Sequence, residues 1–354
     1  MSERMIKTVL ICLLNAGFTC LSARAQVAAK TDHSTDPAAE NMLVYQRSVG
    51  GWPKAVGKVI TDQLYNKVLS DAEKSLIRAD SMHNDATIDN KATSKELRYL
   101  ATAYKHTQNP AYLKAVEKGV NYLLNAQYDN GGWAQYHPDH SLYRGQITYN
   151  DNAMVNVLNI MQDIAEGKNN FDQLPAAFRP KAENAVKKGI SCILKTQVRV
   201  NGKLTVWAAQ YDEHTLKPAK ARAFELASLS AMESVGIAEF LMRIKNPGAE
   251  IKDALSAAMA WFERSKITDH DFVFIEDAKQ PKGKDRIFIE KPGSVLWARF
   301  YDIDTNEPIF VGRDSLPKKT VAEIEQERRI GYAWYGNWAS NLLQKKYPAW
   351  LKSL

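Results

Sequence analysis

The chain repeats a short pattern in which a helical segment ends in glutamine and a glycine turn then leads to tryptophan. An Ala-Val pair, a glycine, a leucine and a glutamine recur, and the two clear copies lead to Trp133 and Trp207. A fainter copy leads from Gln46 to Trp52. Repeats of this kind are typical of stacked helical hairpins, because one unit cannot bury its apolar face alone. We therefore expect a mainly α fold, an α/α toroid of helical hairpin repeats, with a plain irregular helical bundle as the alternative.

Helical periodicity dominates the chain up to about residue 265. The predicted helices are 38–46, 71–79, 94–104, 111–127, 151–167, 180–197, 223–244 and 249–265. Thr93 and Glu96 have the spacing of a capping box, which predicts that a helix begins there. After Lys266 the pattern changes to short alternating segments, 272–275, 286–290, 295–301 and 309–311. These predict a small antiparallel β-sheet subdomain near the C-terminus (271–314), followed by one helix from the capping box Thr320–Glu323 to about residue 344.

Two arginines in this β-rich segment are predicted to face each other. Arg299 lies on an alternating strand and Arg313 follows a second apolar run, with a turn-rich segment centred near Asn306 between them. Like charges opposite each other repel. An anion held between the two side chains would relieve this repulsion, and arginine suits a carboxylate because it can bind it bidentately. The alternative is that each arginine pairs with a neighbouring aspartate such as Asp302 or Asp314.

The first residues have the features of an export signal. A basic start, an apolar run and the small-x-small site Ala23-Arg24-Ala25 predict a signal peptide over 1–25, a disordered leader over 26–38 and a single domain over 39–354. The protein is then expected to be periplasmic or secreted, and it would keep one cysteine, Cys192. The formal net charge of +7 suits nucleic acid, a membrane surface or an acidic polymer as a partner. Export makes nucleic acid the least expected partner, no run is long enough to span a membrane, and a monomer is expected.

Two acidic clusters and several aromatic loops are the candidates for chemistry. Residues 85–90, which end in Asp89-Asn90, lie just before a predicted helix, and Asn150-Asp151-Asn152 lies at the start of another. Grouped carboxylate and amide oxygens are typical ligands of calcium. Such residues also cap helices, or could form a pair of catalytic carboxylates. Trp133 and Tyr149 are candidates to contact a sugar, although aromatic rings suit a core equally well. The sequence has neither an HExxH zinc motif nor a GxSxG nucleophile motif.

Five motifs together resemble the family 10 pectate lyases. They are TIDNKAT at 87–93, GGWAQYHP at 131–138, ITYNDNAM at 147–154, KARAFE at 220–225 and WARFYDIDTNEPIFVGRD at 297–314. The likeness extends over nearly the whole chain after the signal. It implies an α/α toroid with a small sheet domain and a calcium-dependent β-elimination that cleaves polygalacturonate.

The resemblance also implies a role for individual residues. Arg313 is similar to the base of the family and Arg299 to the residue that binds the substrate carboxylate. Asp89 and Asn90 resemble the Asp-Asn pair at the catalytic calcium centre, and Asp151 resembles a further calcium ligand. Asp89 and Arg313 are thus the predicted catalytic residues. Arg222 resembles a further uronate contact and joins Arg299, Trp133 and Tyr149 as a predicted substrate-binding residue.

Arginine can act as a base only in its neutral form, and this form depends on the surroundings of the side chain. The free pKa of arginine exceeds about 12, so that only a site crowded with cations would favour the neutral form, and we expect an alkaline pH optimum. Three other interpretations of the function remain. The repeat also resembles that of terpene cyclases, but the DxDD initiator is absent. A noncatalytic uronan-binding protein would need Arg299 and the tryptophan loops alone. An inverting glycosidase would use Asp89 and Asp151.

Overall fold

A computed structural model describes residues 34–354. The predicted signal peptide and residues 26–33 of the predicted leader lie outside this range. Within residues 34–38 of the leader, the first helix already begins at Pro37, because the side chain of Asp36 caps it by accepting a hydrogen bond from the backbone N–H of Ala39 at 2.9 Å. No helix within 34–354 is long and apolar enough to cross a membrane.

Helices form most of the regular structure. They are α1 (Pro37–Tyr45), α2 (Thr61–Tyr65), α3 (Asp71–Ala79), α4 (Ser94–Thr107), α5 (Pro110–Asn125), α6 (Ala153–Glu166), α7 (Phe178–Thr196), α8 (Ala231–Met242), α9 (Ala249–Arg264), α10 (Gln326–Gly331) and α11 (Tyr347–Lys352). The longer ones pack as pairs, α4 with α5, α6 with α7 and α8 with α9. Asn109 caps α5 through the N–H of Ala111, with Pro110 in the first turn, and Gly167 ends α6 in a left-handed conformation.

The repeat of the sequence corresponds to a loop anchor that recurs three times. The amide of Gln46 donates to the carbonyls of Gly50 and Ala115, that of Gln127 to Gly131 and Ala185, and that of Gln197 to Thr205 and Ala254, all at 2.7–3.0 Å. Each tryptophan that follows is buried and donates its indole N–H to the carbonyl of a preceding helix. Each anchor thus holds its loop against the next helix.

The prediction of an α/α toroid is wrong. The structure is 47% helical and 17% strand, and no toroid repeat of helical hairpins is found among residues 34–354. What repeats is the loop anchor, whereas closure into a ring depends on packing between distant helices, which local periodicity does not encode. After α9 the chain forms strands instead of another helical hairpin.

The strands are short apart from one long hairpin. They are β1 (Ala55–Val56), β2 (Val59–Ile60), β3 (Ile147–Thr148), β4 (Arg199–Val200), β5 (Lys203–Leu204), β6 (Gln210–Tyr211), β7 (Leu229–Ser230), β8 (Ile267–Glu276), β9 (Lys284–Ala298), β10 (Phe300–Tyr301), β11 (Phe310–Val311), β12 (Pro317–Lys318) and β13 (Tyr335–Gly336). Strands β8 and β9 pair antiparallel with Phe272 opposite Phe288, and β13 adds to the other edge of β9.

The predicted last helix is also corrected. The capping box Thr320–Glu323 is present, but it begins only the 3₁₀ turn Val321–Glu323. The helix α10 follows, then β13, a π-helical turn Leu342–Lys346 and α11. At the other predicted capping box, the hydroxyl of Thr93 donates to the carbonyl of Thr87 instead of capping α4, and the carboxylate of Glu96 accepts a hydrogen bond from Tyr65.

Candidate active site

The two predicted acidic clusters meet in the structure. Each forms a 3₁₀ turn directly before a helix, Asp89–Lys91 before α4 and Asn150–Asn152 before α6, and the two turns contact each other. Both turns hold residues in the left-handed region, with φ of 49° at Asn90 and 51° at Asp151. Such backbone is held only where the surrounding structure fixes it, and it is frequent at functional sites.

Asp89 is buried and paired with a lysine. One carboxylate oxygen lies 2.5 Å from the ammonium nitrogen of Lys54, whose side chain is 38% exposed. The backbone N–H of Asp89 donates to the hydroxyl of Thr87 at 3.0 Å, and Thr87 in turn donates to the carbonyl of Gln135. The turn is therefore tied to the 131–138 motif, which explains why these distant motifs occur together.

Asp151 lies near two other carboxylates and pairs with one arginine. Burial raises the pKa of its carboxyl group, Arg299 opposes this, and the nearby carboxylates of Glu233 and Asp89 raise the pKa further. The guanidinium of Arg299 donates to Asp151 at 3.2 Å. An excess of carboxylates over cations at this point favours a bound cation.

Arg299 is held deep in the site. It is 4% exposed, and one terminal nitrogen donates to Asn150, Asp151 and Glu233. Glu233 on α8 is fully buried and also accepts hydrogen bonds from the hydroxyl of Ser230 and from the N–H of Asp151 at 3.4 Å. Glu233 thus fixes both the arginine and the Asn150–Asn152 turn. Glu233 was not found from the sequence, although α8 is otherwise uncharged apart from Glu239.

Arg299 and Arg313 do not face each other. Tyr301 pairs with Pro308, and the N–H of Ile309 donates to the carbonyl of Phe300, so that the turn is centred between Asp304 and Thr305. This register places Arg313 beyond the strand position opposite Arg299. The prediction of facing arginines is therefore wrong, because the turn lies ahead of Asn306.

Arg313 lies at the exposed rim of the site. Its side chain is 58% exposed and its guanidinium donates to Glu327 at 2.7 Å. The hydrogen bond with Glu327 raises the pKa of Arg313. In this arrangement the side chain is a fully charged cation.

Three arginines gather around one aromatic ring. The guanidinium carbons of Arg328, Arg222 and Arg313 lie 3.7, 4.8 and 5.2 Å from the ring centre of Phe224. Arg328 is 6% exposed, and two of its guanidinium nitrogens have no hydrogen-bond partner. Burial and then Arg313 lower the pKa of Arg328. The site is thus crowded with cations, and Arg328 was not found from the sequence because the charged run at 325–329 reads as a solvated helix face.

Arg222 is connected to Arg299 through two side chains. It donates to Glu225, with the Nε hydrogen bond at 2.7 Å, and the hydroxyl of Tyr332 donates to the same carboxylate at 3.1 Å. Arg299 lies over the ring of Tyr332, 4.8 Å from its centre. Arg222 therefore belongs to the same contact network as Arg299, whereas Arg313 joins this network only across Phe224.

The aromatic candidates Trp133 and Tyr149 belong to the core. Both are 0% exposed. The indole N–H of Trp133 donates to the carbonyl of Leu123, and the hydroxyl of Tyr149 shares a hydrogen bond with that of Thr196. A ring without accessible surface offers no face to a sugar, so their predicted contact with substrate is corrected and the proposed substrate site excludes them.

The oxygen atoms of the two turns fit part of a calcium coordination shell, which substrate would have to complete. Among residues 34–354, no group of three or more His, Cys, Asp or Glu side chains could hold a metal. The site offers two carboxylates, Asp89 and Asp151, and the neighbouring amides of Asn90 and Asn150, all of which supply the oxygen atoms that calcium prefers. This set would leave coordination positions for other oxygen donors.

Comparisons with known proteins establish the family. Residues 46–343 match the pectic acid lyase family, and because this match covers most of the chain, the protein belongs to that family. A mutant of the family 10 polysaccharide lyase from Cellvibrio cellulosa in complex with trigalacturonic acid is 35% identical, with a TM-score of 0.77, over 88% of this chain and 92% of that one. The family 10 polysaccharide lyase from the same organism is 34% identical, with a TM-score of 0.76, over 90% and 92%. The curated proteins searched contain no match. The resemblance to family 10 is confirmed.

Proposed function

We propose that the protein is a pectate lyase that cleaves α-1,4-linked polygalacturonate by calcium-dependent β-elimination and releases 4,5-unsaturated oligogalacturonates. Membership of the pectic acid lyase family supports the activity, and a similar structure holds trigalacturonic acid, an acidic sugar of the same class. The observation that carries the proposal is the contact of Arg299 with the Asn150–Asn152 turn, which meets the turn of Asp89, together with the link from Arg299 to Arg222 through Tyr332 and Glu225.

The reaction demands positive charge around one carboxylate. The proton at C5 of galacturonate is α to a carboxylate, whose charge opposes formation of a carbanion. Cations on that carboxylate lower the barrier. The base takes the C5 proton, the C4–C5 double bond forms and the bond from C4 to the glycosidic oxygen breaks. The leaving oxygen takes a proton from water, and the base later returns its proton to solvent. In this scheme Arg299 binds the carboxylate, while calcium held by Asp89, Asn90 and Asp151 supplies further positive charge.

We propose Arg222 as the base, because it is linked to Arg299 through Glu225 and Tyr332. In the free protein the ion pair with Glu225 raises the pKa of Arg222, so that its guanidinium is charged. Arg313 and Arg328 lie around the same Phe224 ring and would favour the neutral guanidine only once Glu225 no longer pairs with Arg222. When the anionic substrate enters, Arg222 gives up its ion pair with Glu225. Arg313, the base implied by the sequence resemblance, is 58% exposed and pairs with Glu327, and we assign it the role of a second carboxylate contact at the rim. An alkaline pH optimum follows from either assignment.

A direct assay tests the activity. Purified protein incubated with polygalacturonate and calcium should produce a rising ultraviolet absorbance from the unsaturated product. A chelator should abolish the reaction and added calcium should restore it. An increase in reducing ends without this absorbance would indicate a glycosidase that uses Asp89 and Asp151, and binding without any cleavage would indicate a noncatalytic uronan-binding protein.

Three variants separate the roles of the arginines. Arg222→Lys keeps the charge without the planar guanidinium, and it should lower kcat by about a hundredfold or more, the scale of general-base catalysis, with binding of oligogalacturonate retained. Arg313→Lys should mainly raise KM, and Arg299→Ala should weaken binding as well as turnover. Arg264→Lys, at the exposed end of α9, is the matched control. Loss of turnover in Arg313→Lys with normal turnover in Arg222→Lys would instead assign the base to Arg313.

Export and a single-domain monomer are part of the same proposal. The export signal rests on residues 1–25, which the structure does not describe. Protein from the native host should begin at Gln26, and intact Met1 in the cytoplasm would refute export. Size-exclusion chromatography with light scattering should give the mass of one chain.

A further inference from the structure

Lys54 binds the carboxylate that calcium requires. Its ammonium nitrogen lies 2.5 Å from Asp89, and among residues 34–354 this is its one ion pair. A lysine side chain this close to a carboxylate carries its positive charge. A divalent cation on the same carboxylate would repel the ammonium group. Lys54 and calcium therefore compete for Asp89.

The surroundings of Lys54 suit a uronate. Its ammonium lies 5.9 Å from the ring centre of the half-buried Tyr136, and the guanidinium carbon of Arg144 lies 4.9 Å from the same ring. Arg144 is paired with Asp139 and its side chain is 42% exposed. An aromatic ring flanked by two cations offers apolar contact to a sugar and positive charge to its carboxylate.

The side chain of Lys54 is able to change partners. It is 38% exposed and carries a flexible four-carbon stem, so that its ammonium can leave Asp89 without unfolding the loop. The turn of Asp89 is fixed separately, through Thr87 and Gln135. Displacement of Lys54 therefore leaves the metal-binding turn in place and exposes one additional cation next to Tyr136.

We propose that Lys54 neutralises Asp89 until calcium binds, and that calcium then releases it to bind a carboxylate of polygalacturonate beside Tyr136 and Arg144. This inference rests on the proposed function for its ligand. It makes calcium binding and substrate binding depend on each other, because the ion that enters Asp89 creates a substrate contact. It also predicts that loss of Lys54 has opposite effects on the two affinities.

The test measures both affinities in Lys54→Met, which keeps an unbranched side chain without the charge. Terbium, a calcium substitute whose emission nearby tyrosine sensitises, should bind the variant roughly two- to fivefold more tightly than wild type, the scale of one exposed ion pair. At saturating calcium, the KM for polygalacturonate should rise about tenfold, the scale of one charge-assisted hydrogen bond, with kcat little changed. Lys54→Arg should restore most of the KM.

Lys58→Met is the matched control, because Lys58 is an exposed lysine in the turn between β1 and β2 of the same region. It should leave both affinities unchanged, and thermal unfolding should show that all variants are folded. Equal or weaker terbium binding by Lys54→Met, or an unchanged KM, overturns the proposal. A wild-type protein that yields no unsaturated product refutes the proposed function instead, and the terbium comparison then still decides whether Lys54 competes for Asp89.

Discussion

Replacing Glu96 with glutamine should remove a large part of the pH dependence of stability. Glu96 on α4 is fully buried; one carboxylate oxygen accepts a hydrogen bond from the hydroxyl of Tyr65 at 2.7 Å, and the other has no partner. Lys95 lies 3.7 Å away. Burial raises the pKa of Glu96 to about 7, against the opposing effects of Lys95 and Tyr65.

The size and sign follow from proton linkage. An unfolded glutamate has a pKa of about 4.3, so the folded chain holds one proton more between about pH 4 and pH 7. The stability contributed by neutral Glu96 is fully present below the unfolded pKa and is lost as pH rises to about 7. A difference of roughly 2.7 pKa units corresponds to about 3–4 kcal/mol. Above pH 7 the buried charge is a constant cost.

Urea unfolding at pH 5 and pH 8 gives the measurement. Glu96→Gln keeps an acceptor for Tyr65 and cannot ionise, so its free energy of unfolding should exceed that of wild type by only about 1 kcal/mol at pH 5 and by about 3–4 kcal/mol at pH 8. Other groups cancel in this difference. Glu183→Gln, an exposed glutamate on α7, is the control and should show no such change. A difference between wild type and Glu96→Gln that stays constant from pH 5 to pH 8 would refute the reasoning.

Two further predictions concern buried side chains. Trp133→Phe should lower the free energy of unfolding by about 1–3 kcal/mol, because the indole hydrogen bond to Leu123 and part of the packing are lost, and denaturant titration should show this with the KM for polygalacturonate unchanged. A raised KM without loss of stability would place Trp133 in the substrate site after all. Cys192 should resist a thiol reagent at pH 8 in the native protein and react in urea, because burial raises the pKa of its thiol to about 11; rapid labelling of the native protein would contradict this.

Features that depend on neighbouring residues could be predicted from the sequence. The longer helices follow from apolar periodicity and caps, and the glutamine anchors follow from a repeated spacing. The arrangement of these elements could not be predicted in the same way. The toroid prediction extended a local repeat to a closed ring, whereas the chain after α9 forms the β8–β9 hairpin. Thr93 and Glu96 have the spacing of a capping box, yet Glu96 pairs with Tyr65, which is distant in sequence.

The same distinction between features set by neighbouring residues and features set by distant contacts applies to the site. Asp89 and Asp151 could be predicted to act together because both stand in Asp-Asn turns before helices, and the structure brings the turns into contact. The position of Arg313 could not be predicted, because a small shift in the turn alters which residues face each other across a hairpin. Glu233 and Arg328 contribute through burial, which depends on the packing of α8 and α10 against distant parts of the chain.

Four cations of the site share one property that bears on catalysis: each is paired with a carboxylate of the protein itself, unlike Arg328. The pairs are Lys54–Asp89, Arg222–Glu225, Arg299–Glu233 and Arg313–Glu327. A uronate that enters must exchange one ion pair for another, so the gain per contact is small and affinity must come from several sugars bound at once. Glu225 raises the pKa of Arg222 in the free protein. Loss of that carboxylate, with Arg313 and Arg328 still nearby, would favour the neutral form of Arg222 only after substrate has bound. A base that forms only in the complex would leave the free enzyme charged and inert, and would make kcat depend on chain length more strongly than the binding of a single sugar would require.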